Sequence, residues 1–422
     1  MKIAILGGGF TGLAASYYLA KKGHSTTLFE KEPVLGGLAV GFKHSGWDWY
    51  LERAIHHLLG NDNEIVSLAK ECGFGGIFWQ SSQTASLYKE SANNYRIIPV
   101  DTPQDFLKFP YLSLPAKLRA GFVLAFLQFS PFLSIYEKQT AEEFLRKNMG
   151  NHAWETLWQE LFRKKFGKYA GNILTSFIWA RIKKRSKRLG YIKGGFQTFI
   201  DYLEREINKL KVEVKKGYEV NNVVKKGTGF MVDNKPFDAV ISTLPSPILP
   251  KITAELFSTN YLSQFKKLKF LHAVSMVFET KKPLLDKVYW LNVCDPDNKI
   301  MGAMQHTNFI DKKHYAGNHI LYAYNYVEFE DPRIRMNKQE LLDFYLPELK
   351  KINPSFIVSP AKAYVFKGPF AQPIFDNDFL KNKPDFETPA KNFYIANLDM
   401  TYPYDRGTNY AVKLGKEVSD FF

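Results

Sequence analysis

Gly7-Gly8-Gly9-Phe10-Thr11-Gly12 stands between a short apolar run (residues 2–6) and a helix-forming stretch (residues 13–22), and few folds accept three glycines at that spacing in that place. Gly23 stops the helix, and residues 25–30 read as a second strand. The order is strand, glycine turn, helix, strand, which opens a dinucleotide-binding unit. Each glycine has its own task there. Gly7 makes the tight turn, Gly9 lets the backbone approach a pyrophosphate, and Gly12 lets the helix pack closely on the strand. Phe10 and Thr11 start the helix, whose positive N-terminal end faces the phosphate charge. Glu30 follows Gly12 by eighteen residues, at the end of the second strand. A carboxylate there accepts hydrogen bonds from ribose hydroxyls and repels a phosphorylated ribose.

A second glycine pair comes just after the acidic residue, in Glu30-Lys31-Glu32-Pro33-Val34-Leu35-Gly36-Gly37-Leu38-Ala39. In isolation the pair could be a plain turn. In this setting the stretch resembles the extended fingerprint of the FAD-binding superfamily of amine oxidases, phytoene desaturases and protoporphyrinogen oxidases. Similarity to UDP-galactopyranose mutase is weaker and rests on the stretch from Tyr402 to Tyr410. The resemblance implies FAD, held non-covalently, rather than a nicotinamide. It also implies that Lys31, Gly36, Gly37 and Leu38 lie along the pyrophosphate and ribityl chain.

Three later segments extend the resemblance over nearly the whole chain. Leu189-Gly190-Tyr191-Ile192-Lys193-Gly194-Gly195-Phe196 is similar to the segment by which the family returns to its FAD domain. A strand whose backbone meets adenine follows, here nearest Val220. Phe237-Asp238-Ala239-Val240-Ile241-Ser242-Thr243-Leu244-Pro245 is similar to the strand and loop that close the unit, with Thr243 in the loop. At the C-terminus, the stretch from Tyr402 to Gly415 is a loop entering a helix. The family sets that helix's N-terminus, here Asn409, Tyr410 and Ala411, under the flavin's N1–C2=O edge, where its positive end stabilises the reduced ring. The chain departs from the family at the pyrophosphate position, with Ala396-Asn397 where relatives often have Gly-Asp.

Composition narrows the partners. Lys+Arg exceed Asp+Glu by 57 − 42, a net charge of +15. Such an excess suits nucleic acid, anionic lipid or an anionic ligand. No zinc finger, RNA-recognition signature or basic repeat accompanies it, so nucleic acid is not expected. Two cysteines, Cys72 and Cys294, offer neither a disulfide framework nor a zinc cluster, and no metal is expected. That suits a reducing cytosol. The N-terminal residues are explained by the glycine spacing rather than by a cleaved leader. Residues 99–188 read as mostly helical and contain an almost wholly apolar run, Gly121 to Tyr136, broken by Gln128 and Pro131 and flanked by Lys117, Arg119 and Lys138. It reads either as a buried helix pair or as a patch dipping into one leaflet of an anionic membrane. Arg163, Lys164, Lys165, Arg181, Lys183, Lys184, Arg185, Lys187 and Arg188 follow, either a solvated face or a site for anionic lipid or phosphate.

These readings combine into an α/β fold with a doubly wound FAD-binding domain, a mixed-sheet substrate domain and an inserted helical subdomain. The expected order is FAD-domain segments at 1–98, 189–247 and 385–422, helices at 99–188 and the substrate sheet at 248–384. The expected function is an FAD-dependent oxidoreductase of the dehydrogenase or desaturase type, taking hydride from an apolar small molecule onto flavin N5. The alternative is a non-redox flavoenzyme of the UDP-galactopyranose mutase type acting on a nucleotide sugar. Hydride transfer needs positioning more than an acid or base, so the sequence names no catalytic group. His56, His57, Arg163, Lys165 and Tyr410 are the candidates. The expected location is the cytoplasm, with peripheral attachment to the inner membrane face; oligomeric state is not readable.

Overall fold

The computed structural model describes residues 1–91, 94–186 and 188–422; Lys187, part of the basic run above, lies outside the described residues. In chain order, β1 (Lys2–Leu6), α1 (Phe10–Lys21) and β2 (Ser25–Glu30) come first. α2 (Asn63–Glu71) precedes the hairpin β3 (Thr84–Ser91) and β4 (Asn94–Pro99). The helical stretch includes α3 (Leu114–Phe129), α4 (Glu160–Phe166) and α5 (Thr175–Lys183). α6 (Phe196–Lys209), β5 (Glu213–Lys216) and β6 (Ala239–Ser242) return the chain to the first sheet. The second sheet uses β7 (Phe270–Thr280), β8 (Trp290–Val293), β9 (Gly302–Gln305), β10 (His319–Val327) and β11 (Ala363–Pro373), with α7 (Lys338–Ile352) before the last strand. β12 (Phe393–Ile395) and α8 (Thr408–Ser419) close the fold.

The first sheet runs β5-β2-β1-β6-β12, all parallel. β1 is its centre and is covered on both faces, which is why Ile3, Ala4, Ile5 and Leu6 form an unbroken apolar run rather than an alternating one. α1 and α6 cover one face through Phe10, Phe196 and Phe199, whose rings meet at 6.0–6.5 Å. α8 lies directly on α1. A Cβ built on Gly415 would come within 2.4 Å of Thr11 O, so only glycine permits that contact.

The second sheet runs β11-β7-β10-β9-β8-β3-β4 and is mixed, since β8 pairs parallel with β3 while the other pairs are antiparallel. Residues 84–99, grouped by sequence almost wholly with the first FAD segment, therefore pair within the second sheet. The first strand buries Ala85, Ser86 and Leu87 in a row and then turns to exposed residues, a pattern that carries no sign of its distant partner. The strand expected nearest Val220 begins only at Val223. Asp233 intervenes, because its carboxylate accepts the amides of Asn221 and Asn222 at 3.1 and 3.0 Å.

The long apolar run is not a buried helix pair. α3 buries Ala120, Val123 and Leu127 and turns Leu114, Leu118, Phe122, Phe126 and Phe129 outward, with Phe122 75% and Phe129 81% exposed. Pro131 ends the helix, and a single further turn over Leu133–Tyr136 continues the stripe through Phe132 and Ile135.

Candidate active site

The glycine turn and the second glycine pair press against each other at the C-terminal edge of the first sheet. Gly36 donates its N–H to Gly8 O at 2.9 Å. It does so at φ +133°, which a side chain would resist. A Cβ on Gly12 would sit 1.9 Å from Gly7 O, so that glycine is required by packing alone. Gly9 differs: a Cβ there would meet nothing nearer than Gly37 Cα at 3.9 Å. Packing does not explain Gly9, and its open face is where a pyrophosphate fits. No side chain caps the first turn of α1, so its amides and the positive end of its dipole face the same space. The side chains of Phe10 and Thr11 are buried, leaving only their backbone for a ligand. Thr243 locks the turn by donating its hydroxyl to Leu6 O and Gly7 O at 2.9 and 3.1 Å.

Glu30 is 8% exposed. One oxygen accepts Gly8 N–H at 2.7 Å and the other Glu32 N–H at 2.8 Å. A carboxylate has about four acceptor positions, so both oxygens keep capacity for ribose hydroxyls while they splint the loop. Tyr218 N–H donates to Glu30 O at 2.9 Å and so draws the Val220 segment alongside. Among the described residues, neither the N–H nor the C=O of Val220 has a partner in the chain, which fits a backbone reserved for a base edge. Lys31 points to solvent, and Leu38 is half-buried.

The C-terminal positions are engaged more variously. Asn397 lies in a buried polar knot, donating to Leu244 O at 3.1 Å and Ser246 Oγ at 2.9 Å. Asp399 shares Ser246, and burial pushes its carboxyl up to about 7. Its second oxygen has no partner, an orphaned acceptor beside the loop that Thr243 opens. Asn409 is buried and its side-chain oxygen accepts Glu64 N–H at 2.8 Å, capping α2 from another part of the chain. Tyr410 and Ala411 are half-buried. The ring of Tyr410 stacks on Tyr404 at 4.9 Å and 4°. α8, like α1, starts without a side-chain cap.

A charged chamber adjoins this edge. Asp405, two residues before Gly407, lies 3.3 Å from Lys165 Nζ and also bonds Arg181. Arg406 donates to Gln372 on β11 and to the hydroxyl of Tyr326 on β10. Burial pushes Asp405 up, but Lys165 and Arg181 outweigh it and hold the carboxyl below the usual range. Burial pulls Lys165 down to about 7, and burial with Arg181 nearby pulls Arg406 down to about 9. His56 and His57 are half-buried. Burial brings both imidazoles down to about 4, so they are neutral at pH 7. His56 Nδ1 lies 2.8 Å from Ala54 O, whereas His57 Nδ1 is buried with no partner.

Of the sequence candidates, His56, His57, Lys165 and Tyr410 gather here. Arg163 does not: it is exposed and tied to Glu160 and Pro296 O on the outer face of α4. The periodicity of a short helix explains the split, since two positions apart means opposite sides. Arg181, Tyr326, Gln372, Asp405 and Arg406 were not singled out. Arg181 sits in the basic run and Asp405-Arg406 in the loop before α8, but Tyr326 and Gln372 carry no local signal. Glu52, 1% exposed, was also missed; it accepts Tyr191 O–H at 2.6 Å and Phe196 N–H at 2.7 Å and ties the first segment to α6. Its carboxyl is pushed up to about 7 by burial.

Known proteins agree with this geometry. A coproporphyrinogen III oxidase of Bacillus subtilis is 24% identical over 324 residues, 65% of each chain. A 15-cis-phytoene desaturase of Synechococcus elongatus is 38% identical over 71 residues, 17% of this chain and 15% of that one. The chain thus spans less than two thirds of the length of these relatives. Among solved structures, a candidate protoporphyrinogen oxidase from Exiguobacterium sp. 255-15 superposes with a TM-score of 0.76 at 19% identity, covering 100% of this chain and 98% of that one. Reduced UDP-galactopyranose mutase does so with a TM-score of 0.76 at 15% identity, covering 99% and 93%. Both show the shared FAD-binding fold. The model of the flavin containing amine oxidoreductases matches residues 10–420. With the glycine cradle, the two uncapped helix ends and this match together, the chain belongs to the flavin-containing amine oxidoreductase family, and its cofactor is FAD.

Proposed function

We propose that the protein is an FAD-dependent oxidoreductase of the dehydrogenase or desaturase type, acting on a largely apolar small molecule. The observation that carries this is a pair of uncapped helix N-termini, those of α1 and of α8, on helices that pack together where Gly415 meets Thr11, with Gly9 leaving room for a phosphate at the first. Gly7, Gly9, Gly12, Gly36 and Gly37 with the amides of Phe10 and Thr11 would hold the pyrophosphate. Glu30 would hold the ribose and Val220 the adenine. FAD, when bound, supplies a hydride acceptor at N5. The chain's own part is to close the chamber and orient the substrate. His56 and His57, neutral at pH 7, and Tyr410 wall it without adding charge, while Lys165 and its neighbours supply the polar end.

The outer stripe of α3 supports an apolar substrate drawn from a membrane. Leu114, Leu118, Phe122, Phe126, Phe129, Phe132 and Ile135 recur every three or four residues on one side and are 45–81% exposed. So continuous a stripe is unusual on a water-facing surface. Lys117, Arg119 and Lys138 rim it, and no helix among the described residues is long and apolar enough to cross a bilayer. We read the stripe as a peripheral contact with an anionic inner membrane face, on the cytoplasmic side.

The deciding experiment is anaerobic. The purified protein is expected to be yellow and to release intact FAD with acid, and a polyene or porphyrinogen substrate should bleach the flavin band without added reductant. Failure of every redox-active apolar candidate, with bleaching only by dithionite and turnover of a nucleotide sugar after it, would replace this reading by the non-redox one. The density of cations in the chamber is the observation that favours that second reading.

A further inference from the structure

Lys165, Arg181 and Arg406 surround one carboxylate. Among the described residues each of the three pairs with Asp405 and with no other acidic side chain. Arg406 reaches Asp405 at only 3.6 Å, and its other donors go to the neutral oxygens of Gln372 and Tyr326. Lys165 Nζ otherwise faces rings, Phe177 at 4.8 Å, Phe166 at 5.5 Å and Tyr326 at 5.9 Å, and Arg181 lies 5.5 Å from Phe177. Lys165 and Arg406 are withdrawn from water and Arg181 stands at the solvent-facing side, its side chain 46% exposed, yet one carboxylate serves all three; this is costly, because cations removed from water need paired counter-charge. A structural role would be served as well by a balanced pair. Burial, more than its neighbours' charge, lowers the proton affinity of Lys165 despite its contact with Asp405.

The elements that bring the cations together also argue against service to the cofactor's pyrophosphate. α4 and α5 come from the helical stretch, and Tyr326 and Gln372 from the second sheet. The glycine cradle contributes none of them. The arginines present planar N–H forks, which suit carboxylate or phosphate oxygens in pairs.

We propose that the substrate carries an anionic group, a carboxylate or a phosphate, and that Arg406, Arg181 and Lys165 hold it in the chamber beside the flavin. This rests on the flavoenzyme reading above. The remainder of the substrate lies against Tyr324, Trp290 and the histidines, so the ligand class is an amphipathic acid rather than a pure hydrocarbon. The anion supplies the counter-charge that one carboxylate shared among three basic side chains leaves short.

The test uses FAD-loaded protein titrated with benzoate and phenyl phosphate, against benzamide and benzyl alcohol as neutral matches, read by calorimetry and by the flavin absorbance spectrum. At least one anion is expected to bind, perturb the flavin band and exceed its neutral match by roughly tenfold or more in affinity. Preference for benzoate assigns a carboxylate, and preference for phenyl phosphate a phosphate. Arg406→Gln should weaken the preferred anion by about 10- to 100-fold, and Arg181→Gln by about tenfold, with flavin content and thermal midpoint kept. Asp405→Asn, which removes the internal competitor, should tighten the anion instead, a sign that loss of structure would not produce. Anions binding no better than neutral matches would overturn the proposal. So would charge variants that keep wild-type anion affinity, or an Arg406→Gln protein that loses FAD before it loses anion binding. A protein that takes up no flavin at all would sink the flavoenzyme reading separately, while calorimetry on it would still decide whether the cluster binds anions.

Discussion

Residues 7–37 build the phosphate cradle from one continuous stretch, with Gly8 N–H on Glu30 and Gly36 N–H on Gly8 O. The chamber beside it is assembled from across the chain, the Lys165–Asp405 pair alone spanning 240 positions. The two glycine turns of the cradle, residues 7–12 and 36–37, carry no charged side chain and are shaped by missing side chains. The chamber is crowded with charge and shaped by the side chains present. One therefore responds to added bulk and the other to changed charge, and mutation can tell whether that division is real.

The largest effect is expected in the cradle. Gly12→Val places atoms inside the space already held by Gly7 O, and overpacking against backbone cannot be relieved by a rotamer change. Loss of more than about 3 kcal/mol, or failure to fold, is expected by chemical denaturation. Gly9→Val is the matched control, since its Cβ meets nothing nearer than Gly37 Cα at 3.9 Å, an unstrained distance. It should fold normally and emerge colourless. If the two variants behave alike, Gly9 is a packing residue and the division fails.

In the chamber, His57 should contribute to acid sensitivity alongside His56. Its folded pKa is lowered to about 4 from 6.5 by burial first, then by His56 and Arg181. The unfolded chain therefore binds more protons between those values, so stability falls as pH drops from 6.5 toward 4. The drop is on the order of 3 kcal/mol for the ring. Glu52, raised to about 7, acts in the opposite sense and gains relative stability as pH falls toward 4.5. His57→Asn should lose less stability than wild type between pH 7 and pH 5 in urea titrations. Equal losses in both proteins would show that His57 is not the buried neutral group it is taken to be.

Glu30→Ala should cost on the order of 1–3 kcal/mol of FAD binding, measured by dilution of the holoprotein. Because Glu30 also holds the amides of Gly8 and Glu32, a smaller loss of apoprotein stability should accompany it. Flavin affinity that stays at the wild-type level would remove Glu30 from the ribose contact. The smallest effect on stability is expected outside both regions. Phe126→Asp with Phe129→Asp alters side chains that are 50% and 81% exposed, so the fold should change by less than about 1 kcal/mol. Co-flotation with anionic liposomes should be lost while FAD stays bound. If wild type floats with no liposome at any salt concentration, the membrane reading falls and the chamber loses its proposed source of substrate.

Legibility followed this same division. The cradle could be read because its requirements are local: strand, turn, helix and acidic residue follow one another at fixed offsets. The hairpin at residues 84–99 was assigned to the wrong sheet, because pairing with β8 leaves no trace in either strand. Asn409 was expected at the flavin, and its helix begins there, but its side chain is spent on α2, a contact that no spacing rule predicts. Arg163 and Lys165 looked equivalent in a basic run until α4 fixed which side faced inward.

By itself the sequence determined the dinucleotide turn, the second glycine pair, the order of segments and the apolar richness of α3, since each depends on neighbours within one or two turns of chain. Only the tertiary structure decided that the α3 phenylalanines face outward, and that Lys165, Arg181 and Arg406 converge on a single Asp405. The physical reason is that charge balance and burial are sums over space. A lysine in a basic run costs nothing while solvated, and becomes an unmatched charge only once Phe177, Tyr326 and Asp405 close around it.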